Sequence, residues 1–146
     1  MRGNIKIVEH LVGLIGIDID AKDKIGSTAL HIASTYDMPE IVKILLGKNA
    51  DFNLKDKQKQ TPLHRAAQEG SAEIIEAILE VLEDKEAAMT EEDNDGNTPL
   101  TLAVEAGNSS AVEVHLNEIL IRVDFCTSST FFSMKRIIVF ILSLHV

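Results

Sequence analysis

Apolar residues recur along this chain in paired runs. A short run carries leucine and alanine at helical spacing, and a longer run rich in isoleucine, valine and leucine follows it. Polar, turn-forming segments separate the pairs. The middle pair is the most regular. Asp56-Lys57-Gln58-Lys59-Gln60 reads as a hairpin tip. Thr61 then stands where a helix N-cap belongs, and Pro62 takes the first helical position, where its missing N–H costs nothing. Leu63, Ala66 and Ala67 share one helical face. The small alanines predict close approach of a second helix. Gly70 supplies a stop able to adopt positive φ. A second helix is predicted from Ala72 to Glu83, with Ile74, Ile75, Ile78, Leu79 and Leu82 facing inward.

The preceding segment repeats these parts. Asp23-Lys24-Ile25-Gly26-Ser27 is a tip, Thr28 to Tyr36 a first helix, and Pro39 opens a second that carries Ile41, Val42, Leu45 and Leu46. Two departures weaken this unit: Ala29 replaces the proline, and Asp37 stands where the stop glycine belongs. Asp is less tolerant of the left-handed region than Gly. Downstream, Asp93-Asn94-Asp95-Gly96-Asn97 is a tip, Thr98 to Ala106 a first helix ended by Gly107, and a second helix begins near Ser109 with Val112, Val114 and Leu116. Thr98 follows Thr61 by 37 residues, whereas Thr61 follows Thr28 by 33, so four residues have been added between Leu82 and Asp93. A longer second helix or a longer loop is expected to absorb them.

Thr61-Pro62-Leu63-His64-Arg65-Ala66-Ala67 thus has near copies in Thr28-Ala29-Leu30-His31-Ile32-Ala33-Ser34 and Thr98-Pro99-Leu100-Thr101-Leu102-Ala103-Val104. Gly47-Lys48-Asn49-Ala50-Asp51-Phe52-Asn53 also matches a G-x-x-A-D-V-N loop. A period of 33 with a T-P-L-H-x-A core resembles the ankyrin repeat, over roughly residues 3 to 118. The resemblance implies an all-α fold, an ankyrin-type α-solenoid of stacked helix pairs with hairpins projecting from it. Such units bury their apolar faces only against neighbours. An ankyrin repeat domain is expected over 1–120, with a half repeat at 3–22 and repeats at 23–55, 56–92 and 93–118. The half repeat lacks its first helix. Leu30, Leu63 and Leu100 are expected in the core.

From Phe125 the pattern stops, and 121–146 is an apolar non-repeat tail. Three readings stand for it: the start of a cut-off membrane span flanked by Lys135 and Arg136, an element docked on the last repeat, or non-native sequence ending an incomplete gene. The half repeat and the tail together suggest a piece of a larger protein. The run Ile137–Leu142 falls short of the roughly 20 residues a membrane helix requires, so no membrane contact is expected of this chain alone. No secretory leader is expected either, because Lys6, Glu9 and His10 interrupt Ile5 to Leu14.

Charge narrows the function. The net charge is −9, which argues against nucleic acid as a partner. Setting aside Arg122, Lys135, Arg136 and Asp124, the repeats hold eleven cations against twenty-two anions. Apolar residues make up 45%, enough for a core. The single cysteine, Cys126, excludes an internal disulfide and fits a reducing compartment, so a cytoplasmic location is expected.

The family's activity is protein–protein binding. The resemblance therefore implies a non-catalytic scaffold or adaptor for an unidentified protein, with no cofactor, metal or small-molecule substrate. Segment 95–107 is also similar to repeats of ankyrin-bearing cation channels of the transient-receptor-potential type, so a cytoplasmic arm of such a membrane protein is the alternative. An enzyme is a third reading, but no residues remain for a catalytic domain. Carried over position by position, the tips are Lys22, Lys24 and Ile25; Lys55, Lys57, Gln58 and Lys59; and Asn94, Asp95 and Asn97. First-helix candidates are Ile32, Tyr36, Arg65, Glu69, Leu102 and Glu105. Alternation along a strand would set Lys55, Lys57 and Lys59 on one side of their hairpin, beside Lys22 and Lys24. Eight carboxylates between Glu80 and Asp95, against Lys85, form an adjacent acidic lobe. Paired patches of opposite sign would steer a complementary partner. His31 and His64 are expected to fix turns by bonding to threonine and neighbouring backbone, with Thr101 making a shorter bond at the third position. Asp93-Asn94-Asp95-Gly96 has its glycine too early for a calcium loop, and no zinc spacing links the histidines to Cys126.

Overall fold

The computed structural model describes residues 2–122. Among the described residues there are eight helices and no strand. They are α1 (Arg2–Val12), α2 (Ala29–Thr35), α3 (Pro39–Gly47), α4 (Pro62–Glu69), α5 (Ala72–Val81), α6 (Lys85–Thr90), α7 (Pro99–Glu105) and α8 (Ser109–Arg122). Two parallel rows result. Helices α2, α4 and α7 pack in succession as one row, and α1, α3, α5 and α8 form the other. Each short helix also packs on the long helix that follows it. This is an all-α solenoid of helix pairs. The reading of the tail from 123 onward lies outside the described residues.

The short helices begin alike. Thr28, Thr61 and Thr98 are N-caps in extended conformation, and each forms a capping box with the residue three positions on. Pro62 and Pro99 occupy the first turn. The alanines then let the rows close up: Ala33, Ala66, Ala67 and Ala103 are all at most 2% exposed. Leu30, Leu63, Val42, Leu45, Ile74, Ile75, Ile78, Leu79 and Val112 fill the space between rows. Leu100 is half-buried against the same core.

Three local expectations are corrected. The added residues form neither a longer α5, which ends at Val81, nor an open loop. They fold as the separate helix α6. The Asp84 carboxylate accepts from Ala87 N–H at 3.1 Å to cap it, and Met89 anchors it, 8% exposed. The tips are turns, not two-stranded hairpins, so strand alternation does not order their lysines. In each turn the aspartate takes over the bonds a partner strand would supply. Asp56 Oδ1 accepts from Gln58 N–H at 2.8 Å and Gln60 N–H at 3.0 Å, and Asp23 and Asp93 do the same in their own turns. Asp37, finally, is a competent stop. It adopts φ 49°, and its carboxylate accepts from the Ser71 hydroxyl of the next unit at 2.6 Å.

Candidate functional site

The tips stack edge to edge, and their backbones bond across the repeat. Lys57 N–H donates to Ile25 O at 3.0 Å, and Asn94 N–H donates to Gln58 O at 2.9 Å. Side chains reinforce the second step: Asn94 Nδ2 donates to Lys57 O at 2.9 Å, and Gln60 Nε2 to Asp93 Oδ2 at 2.9 Å.

Histidines fasten the same layers from inside. Thr28 N–H donates to His31 Nδ1 at 3.2 Å, and the Thr28 hydroxyl lies 2.9 Å from the same nitrogen. The far nitrogen, Nε2, faces Gln60 O at 3.0 Å. A carbonyl only accepts, so the proton sits on Nε2 and Nδ1 receives the threonine donors. His64 repeats this with Thr61 and Asn97 O at 3.2 Å. Burial pushes both histidine pKa values down, against the opposing pull of those carbonyls and of Asp56 or Asp93. Both rings are therefore neutral struts. They reach a step further than expected, because each spans to the next unit. Thr101 only closes on its own cap, donating to Thr98 O at 2.8 Å.

For Asp56, burial raises the carboxyl pKa. The Arg65 guanidinium at 2.7 Å and the amides of Gln60 and Gln58 outweigh that, so the net shift is downward. Asp93 is likewise lowered. Desolvation is overcome by bonds from Gln60, Asn97 and Asp95.

The candidate residues divide into two sets. Lys24, Ile25, Tyr36, Lys57, Gln58, Lys59, Glu69, Asn94, Asp95 and Glu105 are exposed along one line of tips and α2, α4 and α7. Others are committed within the fold. Lys22 Nζ donates to Lys55 O at 2.9 Å, Lys55 pairs with Glu91, and Arg65 bonds Asp56 and, at 3.0 Å, Gln58. The Asn97 carbonyl is held by His64. Leu102 is buried and belongs to the core, not the surface. Sequence reasoning missed the turn-locking role of Asp23, Asp56 and Asp93, although their recurrence with the repeat was a usable signal.

Among the described residues no three His, Cys, Asp or Glu side chains are grouped to hold a metal ion. None of the described helices is long and apolar enough to cross a membrane.

A family model described as ankyrin repeats (3 copies) matches residues 1–89 and again 36–124. The chain belongs to the ankyrin repeat family. Ankyrin repeats are protein-interaction modules, generally without catalysis. An ankyrin repeat protein of Rickettsia bellii is 39% identical over 74 residues, covering 51% of this chain and 41% of that protein. Human SH3 and multiple ankyrin repeat domains protein 2 is 34% identical over 76 residues, 52% of this chain and 4% of its own length. Mouse protein phosphatase 1 regulatory subunit 12A is 40% identical over 63 residues, 43% of this chain and 6% of its own. The ankyrin chain thus spans less than half the length of each of these relatives.

Proposed function

We propose that this ankyrin chain is a non-catalytic scaffold that docks a protein on its row of tips and short helices. The observation that carries this is the combination of rigidity and exposure along that row. Backbone bonds fix one tip to the next, while Ile25 on its tip and Tyr36 at the end of α2 stand 57% and 68% exposed. Exposed aromatic and aliphatic side chains on an immobile frame bind with little ordering cost. A net charge of −9 favours a protein over a nucleic acid. A reducing, cytoplasmic setting is part of the reading, supported by the lone Cys126.

The test is selection from a displayed library of protein segments on the purified chain. Binders should weaken with Ile25→Asp, Tyr36→Ala and Lys57→Glu at unchanged melting temperature. They should be indifferent to Glu76→Lys on α5. The opposite pattern refutes the proposal.

A further inference from the structure

The helix α6 has no counterpart between α3 and α4, and it forms one wall of a groove. This cavity of about 440 Å³ lies between the end of α5, α6 and the loop at Phe52 and Asn53. Its floor is apolar. Phe52, Leu82 and Ala88 are half-buried and packed on the core, and Val81 beside them is 48% exposed. A recess of about 110 Å³ continues inward to Leu63 and Ile78. The volume falls within the range of small binding sites, roughly 300–1,000 Å³. One bulky apolar side chain with its backbone fits such a space.

The rim is acidic. Glu83 and Asp84 line it and are exposed. Nearby cations are paired: Lys85 with Glu118 at 2.9 Å, and Lys55, which lines the recess, with Glu91 of the groove wall. The Asp84 carboxylate faces the α6 N-terminus through its cap to Ala87 N–H. No three ligands converge there for a metal ion among the described residues, and a partly apolar floor suits a side chain better than a hydrated ion.

We propose that this groove is a second docking site, separate from the tip row, for a basic peptide segment. A leucine, phenylalanine or methionine would enter the floor, and flanking lysine or arginine would lie over Glu83 and Asp84. Charge complementarity selects this occupant. An acidic segment would meet repulsion, and a purely polar one would leave the floor wet.

The experiment is fluorescence titration of the full chain with the labelled peptide Arg-Lys-Leu-Phe-Lys-Arg. Two controls accompany it, Arg-Lys-Ser-Ser-Lys-Arg and Glu-Asp-Leu-Phe-Asp-Glu. The first peptide should bind one-to-one, and each control should bind about tenfold more weakly or worse. Glu83→Lys, Asp84→Asn and the groove-filling Ala87→Phe should each weaken the first peptide about tenfold. Asn remains a good N-cap, so Asp84→Asn keeps α6 while removing its charge. Thermal melts confirm that the variants fold. Absence of saturable binding overturns the proposal, as does equal affinity for either control or indifference to the groove variants. Loss of binding with Tyr36→Ala would also overturn it, by moving the peptide to the tip row, and would leave the first proposal standing.

Discussion

The units opening at Thr61 and Thr98 carry nearly the same first-helix sequence and the same threonine cap, yet they are joined to the stack differently. In the first, His64 reaches Asn97 O while Gln60 O receives His31, so α4 is bolted to its neighbours on both sides. In the second, Thr101 turns back on Thr98, and α7 depends on packing and on the bond it receives. Their inter-helix loops are clasped as well: Asn108 Nδ2 donates to Ala67 O at 3.2 Å, directly over Gly70. Local helix geometry is thus set by each unit's own cap. Stability is set by what crosses to the next unit, as expected for a quasi-one-dimensional stack.

Four substitutions break or sharpen that contrast. Leu63→Ala, at 2% exposure on the inner face of α4, should cost about 2–5 kcal/mol in chemical denaturation. His64→Thr imports the third unit's residue into the second. It leaves Asn97 O without its buried donor and should cost about 1–3 kcal/mol by the same measurement. Gly70→Ala should cost about 1–2 kcal/mol, because the residue sits at φ 83°. Its new Cβ would also lie 2.8 Å from Asn108 Cγ. The converse graft, Thr101→His, should change stability by under about 0.5 kcal/mol.

Acid offers a further separation. Burial holds His31, His64 and His115 below the ordinary value of 6.5, and among the described residues the buried His115 Nε2 has no partner. The unfolded chain therefore binds more protons than the folded one as pH drops through that value. Stability should be full above pH 6.5 and decline below it. A second decline follows below the carboxylate value of 3.8, from Asp56 and Asp93. Urea midpoints recorded against pH should show a shallower first decline in His64→Thr, with the second unchanged.

Much of this was legible beforehand. Threonine caps, prolines at the first turn and the leucine–alanine stripe announced α2, α4 and α7, because each signal acts within one turn of helix. The isoleucines of α5 were equally plain. What escaped depends on partners distant in the chain. Asp37 reads as a poor stop until Ser71, a repeat away, is brought to its carboxylate. Lys55 reads as a free surface charge until Glu91 meets it. Arg65 reads the same way until Asp56 and Gln58 take its guanidinium. Helix α6 was hidden for another reason. Its carboxylates mask the period, and only Asp84 before Ala87 and Ala88 marks a start. Of the proposed docking row, position on the tips was readable, but which residues remain outward was not.

Residue-resolved hydrogen exchange on the native chain tests most directly whether neighbour interfaces hold this fold. The α4 amides, enclosed by units on both sides, should exchange slowest, at the rate set by global unfolding. Those of α1, whose Ile7 and Leu11 are 58% and 44% exposed, should exchange much faster. Equal protection in the two helices, or greater protection in α1, would contradict the account.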